Sequence, residues 1–175
     1  IKETLQGFKY LTSNSSLLSF VLSMGIFNFF NAGFLLLAPF MAQQFSHNSA
    51  KTYSMFLIIM AVGGIIGGLF LANQKRFVTE QQIYLEQVLC GSVICLLLLY
   101  LNSFTWLIIG FAFGFGQAQL LGSVPTFIQN KTDQNFLGRI FGIAFLFFDG
   151  AQPIGSFVFG YIISWFPVIA YLLIG

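Results

Sequence analysis

Residues 16–43 read SLLSFVLSMGIFNFFNAGFLLLAPFMAQ, an apolar stretch without a single Asp, Glu, Lys or Arg. A helix needs about 20 residues to cross the roughly 30 Å hydrocarbon core of a bilayer. This stretch is longer than that requirement. Its length and composition therefore predict a membrane-spanning helix.

The rest of the chain has the same character. Its 175 residues are 57% hydrophobic and only 7% charged, whereas soluble domains have about 25% charged residues. A soluble protein of this length leaves roughly a third of its unfolded surface exposed. Because this chain cannot hide so much apolar surface from water, we expect the lipid bilayer to surround most of it.

Further apolar runs follow the first one. The apolar residues in these runs are continuous and do not alternate with polar residues, as they would in a membrane β-strand. An open sheet edge also cannot face hydrocarbon, so strands are excluded. We therefore expect an all-α, polytopic membrane protein with a six-helix transmembrane domain over residues 16–175. The chain begins with Ile1 and ends inside an apolar run, which indicates a piece of a longer protein with its last helix truncated. The expected spans are about 16–43, 53–72, 83–101, 105–128, 138–163 and, in part, 167–175.

Residues 1–15 precede the first span. Leu5, Phe8 and Leu11 recur at helical spacing, with charged residues between them. This pattern is typical of a short interfacial helix at the lipid headgroups. A cytoplasmic linker without fixed structure fits the same residues, and both alternatives stay open.

The basic residues are distributed unevenly between the two sides of the membrane. If successive runs cross the bilayer in opposite directions, six of the seven Lys and Arg residues lie on one side and only Lys51 lies on the other. Lys and Arg concentrate in cytoplasmic loops, which predicts a cytoplasmic N-terminus in a multi-pass protein of the cell (plasma) membrane. The six are Lys2, Lys9, Lys75, Arg76, Lys131 and Arg139.

The second run contains VGGIIGG at residues 62–68. Gly63 with Gly67, and Gly64 with Gly68, form two overlapping pairs of small residues four positions apart. Without Cβ atoms, such a face allows a neighbouring helix backbone to approach closely. The pattern predicts tight helix packing and indicates no particular function.

Several polar side chains lie within the apolar runs, where they are costly unless they face protein or water. Asn28 and Asn31 share a helical face, and both are candidate cavity-lining residues. Gln117 and Gln119 are about 200° apart around a helix, so both cannot line one cavity. Gln119 shares a face with Ser123, so we expect it in the cavity and Gln117 in a bond to a neighbouring helix. Hydrogen bonding between helices explains all of these residues equally well.

The third run is expected at the periphery. Residues 88–101, VLCGSVICLLLLYL, are apolar apart from Ser92. We therefore expect this helix to face lipid and to support the others.

Asp149 is one of only five acidic residues and lies in FLFFDGAQPIGSF, residues 145–157. In a helix it shares a stripe with Gln152 and Ser156, which are further candidate cavity-lining residues. A carboxylate in apolar surroundings without a cationic neighbour favours its protonated form, as a proton relay requires, and Asp149 is thus the candidate proton-coupling residue. A neutral, hydrogen-bonded acid beside a Pro153 kink, or a carboxylate reaching an outer vestibule, is the structural alternative.

Residues for catalysis are sparse. The only histidine, His47, lies in an outer loop without a Cys or carboxylate cluster at metal-ligand spacing. The chain has no Ser-His-acid set, no phosphate-binding glycine loop with Lys, and no basic stripe for nucleic acid. We expect no enzyme, no metal, no cofactor and no nucleic-acid partner.

Three stretches of the chain resemble a known transporter family. They are LQGFKYLTSNSSLL (5–18), VGGIIGGLFLANQKR (62–76), and VPTFIQNKTDQNFLGRIFG (124–142) followed by QPIGSFVFGYI (152–162). They are similar to the C-terminal half, helices seven to twelve, of a major facilitator superfamily transporter of the bacterial macrolide and siderophore exporter branch. One feature departs from that family: the loop after the eighth helix often has an acidic residue, where this chain reads Leu71-Ala72-Asn73-Gln74. Arg76 and Arg139 are then expected to meet Glu80, Glu86 or Asp133 instead.

The resemblance implies a secondary active transporter that works by alternating access. It implies efflux of a small drug-like or siderophore-like compound, in antiport with protons, by a protein whose N-terminal six-helix half is missing from this sequence. The 24 Phe residues suit a bulky apolar substrate or simply contact lipid. A membrane structural or assembly subunit without transport activity is the alternative, and an intramembrane enzyme is disfavoured.

Overall fold

The computed structural model describes residues 2–45, 49–74, 79–98 and 102–165. Within these ranges the chain folds into six helices and contains no strand. In chain order the helices are α1 (Lys2–Ser13), α2 (Ser15–Phe45), α3 (Ser49–Asn73), α4 (Glu80–Leu98), α5 (Ser103–Lys131) and α6 (Leu137–Trp165). The expected all-α architecture is therefore confirmed.

Four of the described helices are long and apolar enough to cross a membrane: Ser15–Gln43, Ser49–Asn73, Ser103–Lys131 and Leu137–Trp165. They correspond to the predicted spans one, two, four and five. α4, the counterpart of the predicted span 83–101, is not among them, and the end of that span lies outside the described residues. The sixth predicted run, 167–175, also lies outside them, so these two spans stay predictions.

α3 and α5 form the most extensive helix pair, because glycines bring their backbones together. A Cβ atom on Gly63 would overlap the carbonyl oxygen of Phe111, and one on Gly67 would lie 2.6 Å from that of Phe115. Gly114 of α5 faces the Met60 carbonyl of α3 in the same way. Close packing of this kind requires the absence of side chains.

The four glycines of α3 differ in their surroundings. Around Gly68 no atom would lie within 4 Å of an added Cβ atom, and on Gly64 that atom would be 3.7 Å from the Gly114 oxygen, an ordinary contact. Gly63 and Gly67 therefore make the close approach, while an added methyl group meets no obstacle at Gly64 or Gly68.

α2 and α6 form the second extensive pair. Gly155 of α6 lies directly against the backbone of Phe29. A Cβ atom added to Gly155 would lie 3.1 Å from the Ala32 Cβ. Aromatic residues join this pair to α5, since the rings of Phe20 and Phe127 lie 4.4 Å apart. The resulting core of α2, α5 and α6 forms the frame of the candidate site.

α1 packs on α6 and on the turn before it. Tyr10 stacks on Phe136 with ring centroids 4.5 Å apart. The Asp133 N–H donates to the Tyr10 hydroxyl oxygen at 3.1 Å. Arg139 Nη1 donates to Gln6 Oε1 at 3.0 Å. These contacts connect the first helix to the α5–α6 connection, and the position of α1 at the headgroups stays a prediction.

Candidate functional site

Three helices each contribute one polar side chain to a small cavity. Asn28 comes from α2, Gln117 from α5 and Asp149 from α6, and the cavity has a volume of about 110 Å³. The Asn28 amide also donates to the Met24 carbonyl of its own helix at 3.2 Å. Two amides and one carboxylate thus converge where the chain is otherwise apolar.

The remaining walls are apolar. They come from the same three helices and include aromatic rings that also belong to the core, so the positions of the polar groups are fixed by packing. These lining residues are Met24, Phe27, Leu120, Leu121, Val124, Pro125, Phe145 and Phe148.

Two prolines alter the backbone at the cavity. Pro125 and Pro153 lie inside α5 and α6, and a proline has no N–H to donate to the carbonyl four residues earlier. Those carbonyls belong to Leu121 and Asp149, both of which line the cavity. The regular helical hydrogen-bond pattern is therefore interrupted beside the cavity in both α5 and α6.

Asp149 lies at the edge of the cavity, where its side chain is exposed rather than enclosed. This differs from the buried carboxylate that its sequence neighbours predict, because Leu121 and Phe145 beside it are themselves 68% and 45% exposed. The described lining contains no Lys, Arg or His. Arg139 is ten positions earlier, about 15 Å along the helix, and its guanidinium contacts Gln6 and the Phe136 ring. No cationic side chain of the described lining therefore lies beside this carboxylate.

The two glutamines of α5 face different cavities. The sequence predicts Gln119 in the cavity and Gln117 in a helix contact, whereas the structure places Gln117 with Asp149. Gln119 is 3% exposed and lines a separate cavity between α4 and α5 together with Glu86. The spacing of two residues separates the faces correctly, but the neighbours of each face depend on how α5 is rotated in the bundle.

Three other candidate residues lie outside the Asp149 cavity. Asn31 is buried, and its Oδ1 atom has no hydrogen-bond partner among the described residues. Gln152 is exposed and Ser156 is half-buried, one and two helical turns beyond Asp149. Because the cavity extends from Asp149 toward Phe145, in the opposite direction, neither residue lines it.

The charged residues of the proposed cytoplasmic loops are only partly described. Lys75 and Arg76 lie outside the described residues, so their expected partners stay predictions. Glu80 accepts hydrogen bonds from Ser16 Oγ at 2.5 Å and from the Tyr84 hydroxyl at 2.9 Å. This acid therefore bonds to α2 and to its own helix.

The sequence places neither Gln117 nor Glu86 at a cavity, although the structure does. The sequence predicts a peripheral, lipid-facing helix for the third run, whereas α4 packs on α5 and Glu86 lines a cavity between them. The signal was present, because an acid inside the predicted span 83–101 is as costly as Asp149 and calls for the same explanation.

Comparison with known proteins identifies the family. No curated protein and no solved structure matches the chain. The family described as "Transmembrane secretion effector" matches residues 1–175, the whole of the sequence. Together with the all-helical, multi-pass architecture, this match shows that the chain belongs to the transmembrane secretion effector family of the major facilitator superfamily, a family of membrane transporters rather than enzymes.

Proposed function

We propose that the chain is the C-terminal six-helix half of a secondary active transporter that exports a small drug-like or siderophore-like compound in exchange for protons. The observation that carries this proposal is the convergence of Asn28, Gln117 and Asp149 on one cavity without a cationic neighbour in the described lining. Intramembrane acids in transporters are typically positions of ion or proton coupling.

The size of the cavity supports a site completed by a second half. Its volume of about 110 Å³ is below the roughly 300–1,000 Å³ that ligand pockets usually have. Because Asp149 is exposed, a facing N-terminal half would enclose it in a larger central cavity. Binding sites at the interface of repeats near the membrane midplane are common in secondary transporters.

Coupling follows from competition for the carboxylate. A substrate that binds the ionised Asp149 from the cytoplasmic side would leave to the outside when a proton takes its place. The proton would then return to the cytoplasm as the site opens inward. One proton enters for each substrate released, and alternating access keeps the two events on opposite sides.

The rigid parts of the half would move as units during this cycle. The α3–α5 pair is held by backbone contacts at Gly63 and Gly67, and the α2–α6 pair by the contact at Gly155. Asp149 and Gln117 lie on different pairs, so a relative shift of the pairs changes the shape of the cavity between them. In this proposal, such a shift links proton occupancy to the opening of the cavity.

The proposal is tested with the full-length protein in proteoliposomes. Radiolabelled erythromycin and enterobactin serve as probes for the macrolide and siderophore classes, and the vesicle interior is made acidic relative to the outside. We expect at least one probe to accumulate beyond its level in protein-free vesicles, and accumulation to stop when a protonophore dissipates the gradient. If neither probe accumulates with the gradient intact, the alternative of a non-transporting membrane subunit is favoured.

A further inference from the structure

Part of the surface of the Asp149 cavity is polar, and a ligand inside the cavity can reach this surface. Asn28, Gln117 and Asp149 are the polar side chains of the described lining. Asp149 is exposed, and Asn28 and Gln117 are half-buried, so none of the three is enclosed by packing. The ligand that the cavity recognises therefore depends on which of these groups donate hydrogen bonds and which accept them.

The Asn28 amide contributes an acceptor. Its Nδ2 atom donates to the Met24 carbonyl oxygen of its own helix at 3.2 Å. Since a carbonyl oxygen can accept but cannot donate, this bond assigns the nitrogen to the end of the amide that faces the helix backbone. The Oδ1 acceptor is the opposite end of the amide. An ionised Asp149 carboxylate likewise accepts and does not donate.

The remaining lining is apolar and partly aromatic. Phe27, Phe145 and Phe148 supply rings to the cavity wall, and aromatic faces attract cations. The described lining has no Lys, Arg or His that would pair with an anionic ligand. Acceptor oxygens and aromatic faces together favour a ligand that has a positive charge and N–H donors.

The size of the cavity indicates which part of a ligand enters it. Its volume of about 110 Å³ is too small for a whole drug-sized molecule, but an ammonium group is similar in size to a water molecule, which occupies roughly 30 Å³. Leu121 and Phe145 at the cavity are 68% and 45% exposed. They offer apolar surface on which the body of a ligand can lie while its charged group is inside.

We infer that the Asp149 cavity selects compounds with a primary or secondary ammonium group on an apolar body, and that the N–H groups donate to Asp149 and Asn28. This inference rests on the proposed function, because it takes the Asp149 cavity as the substrate site and names the substrate class. It favours drug-like amines over siderophore-like compounds, which bind iron through anionic oxygen atoms. A quaternary ammonium ion has the same charge but no N–H group to donate.

Binding is measured to the full-length protein in phosphatidylcholine nanodiscs, without a gradient. Four radiolabelled probes share one apolar body: 4-phenylbutylammonium, 4-phenylbutyltrimethylammonium, 4-phenylbutanol and 4-phenylbutyrate. Empty nanodiscs correct for partition into lipid. We expect saturable binding of the primary ammonium ion and about 10-fold weaker binding of the trimethylammonium ion and of the alcohol, since hydrogen bonds to a charged group are the stronger ones. We expect no saturable binding of phenylbutyrate.

Two variants locate the ammonium group. Asp149→Asn keeps the side-chain shape and removes the charge, so its affinity for the primary ammonium ion should fall to that for the alcohol. Asp133→Asn, at an exposed carboxylate outside the cavity, is the control and should bind like wild type. Asn28→Leu should weaken binding of the primary ammonium ion by about 2- to 10-fold and leave that of the trimethylammonium ion unchanged. Unchanged trimethylammonium binding also shows that this variant is folded.

The wild-type series decides the inference even if a variant does not fold. The inference is overturned if the primary ammonium ion does not bind saturably, if the alcohol or phenylbutyrate binds as tightly, or if both ammonium ions bind equally. Full binding of the primary ammonium ion by Asp149→Asn would place it elsewhere. Transport is judged separately. Asp149-dependent binding without accumulation of any probe in proteoliposomes would support the site and contradict transport, whereas accumulation without ammonium binding would do the reverse.

Discussion

Gln117 and Gln119 are two positions apart, yet each lies in a different cavity with a different acid. Gln117 lines the Asp149 cavity, and Gln119 lines the Glu86 cavity. The angular separation is readable from sequence because helical geometry fixes it. The neighbour of each face is not readable, because it depends on the rotation of α5 against α2, α4 and α6.

Asp149 shows the same limit at the level of one side chain. A carboxylate inside an apolar membrane-spanning run carries a free-energy cost, and this cost predicts from sequence that Asp149 has a function. Its partners Asn28 and Gln117 come from helices far away in the chain, and no local pattern brings them together. Gln152 and Ser156 are closer in sequence but lie beyond the end of the cavity.

The role of Gln117 is testable by Gln117→Leu, which replaces the amide with an apolar side chain of similar size. Losing one neutral hydrogen bond to substrate is worth about 0.5–1.5 kcal/mol, so we expect the KM for the transported probe to rise by about 2- to 10-fold. Gln129→Leu is the control, because Gln129 is exposed at the end of α5. An unchanged KM in Gln117→Leu would remove this residue from the substrate site.

Among whole elements, sequence predicted the described helices more successfully than it predicted their partners. Long apolar runs fix where helices form, since backbone groups in lipid must bond within the helix. The VGGIIGG motif also predicts a close helix contact. It does not say that α5 is the partner, nor that Gly63 and Gly67 rather than Gly64 and Gly68 meet its backbone.

A pair of alanine substitutions tests this contact. Gly63→Ala places a methyl group on the Phe111 carbonyl and should destabilise the protein by about 1–3 kcal/mol through overpacking. Gly68→Ala meets no atom within 4 Å and should be neutral or stabilising by up to about 1 kcal/mol, because alanine favours helix. The melting temperatures of the detergent-solubilised variants, each compared with wild type, test both expectations. Equal melting temperatures for the two variants would argue against the close α3–α5 approach.

The attachment of α1 is a second property at this scale. Tyr10 both stacks on Phe136 and accepts from the Asp133 N–H, so Tyr10→Ala removes two contacts at once. We expect faster amide hydrogen exchange throughout residues 2–13 in this variant. Thr4→Ala, at an exposed position of the same helix, should leave the exchange unchanged. If exchange in α1 is equally fast in wild type and Tyr10→Ala, the helix is not held by this contact.

For the whole molecule, the distribution of basic residues predicts how the bundle sits in the membrane. Six of the seven Lys and Arg residues fall on one predicted side, which predicts a cytoplasmic α5–α6 connection. The family match shows a membrane transporter, and the orientation is tested separately.

Single cysteines in a background without Cys90 and Cys95 test the orientation. Ser103→Cys, at the start of α5, should react with an impermeant thiol reagent in intact cells, and Asn130→Cys, at its end, should react only after permeabilisation. Both positions are exposed, so accessibility within the protein does not limit the reaction. Labelling of Asn130→Cys from outside would reverse the orientation.

Proton coupling through Asp149 is tested most directly by comparing gradient-driven accumulation with probe exchange in proteoliposomes. The full-length Asp149→Asn variant keeps the shape of the side chain but cannot exchange a proton. It should exchange labelled for unlabelled probe across the membrane, while its accumulation driven by a pH gradient falls to the level of protein-free vesicles. Asp133→Asn, which removes an exposed carboxylate outside the cavity, should retain both activities. Gradient-driven accumulation by Asp149→Asn equal to that of wild type would contradict the account and leave Asp149 with a structural role alone.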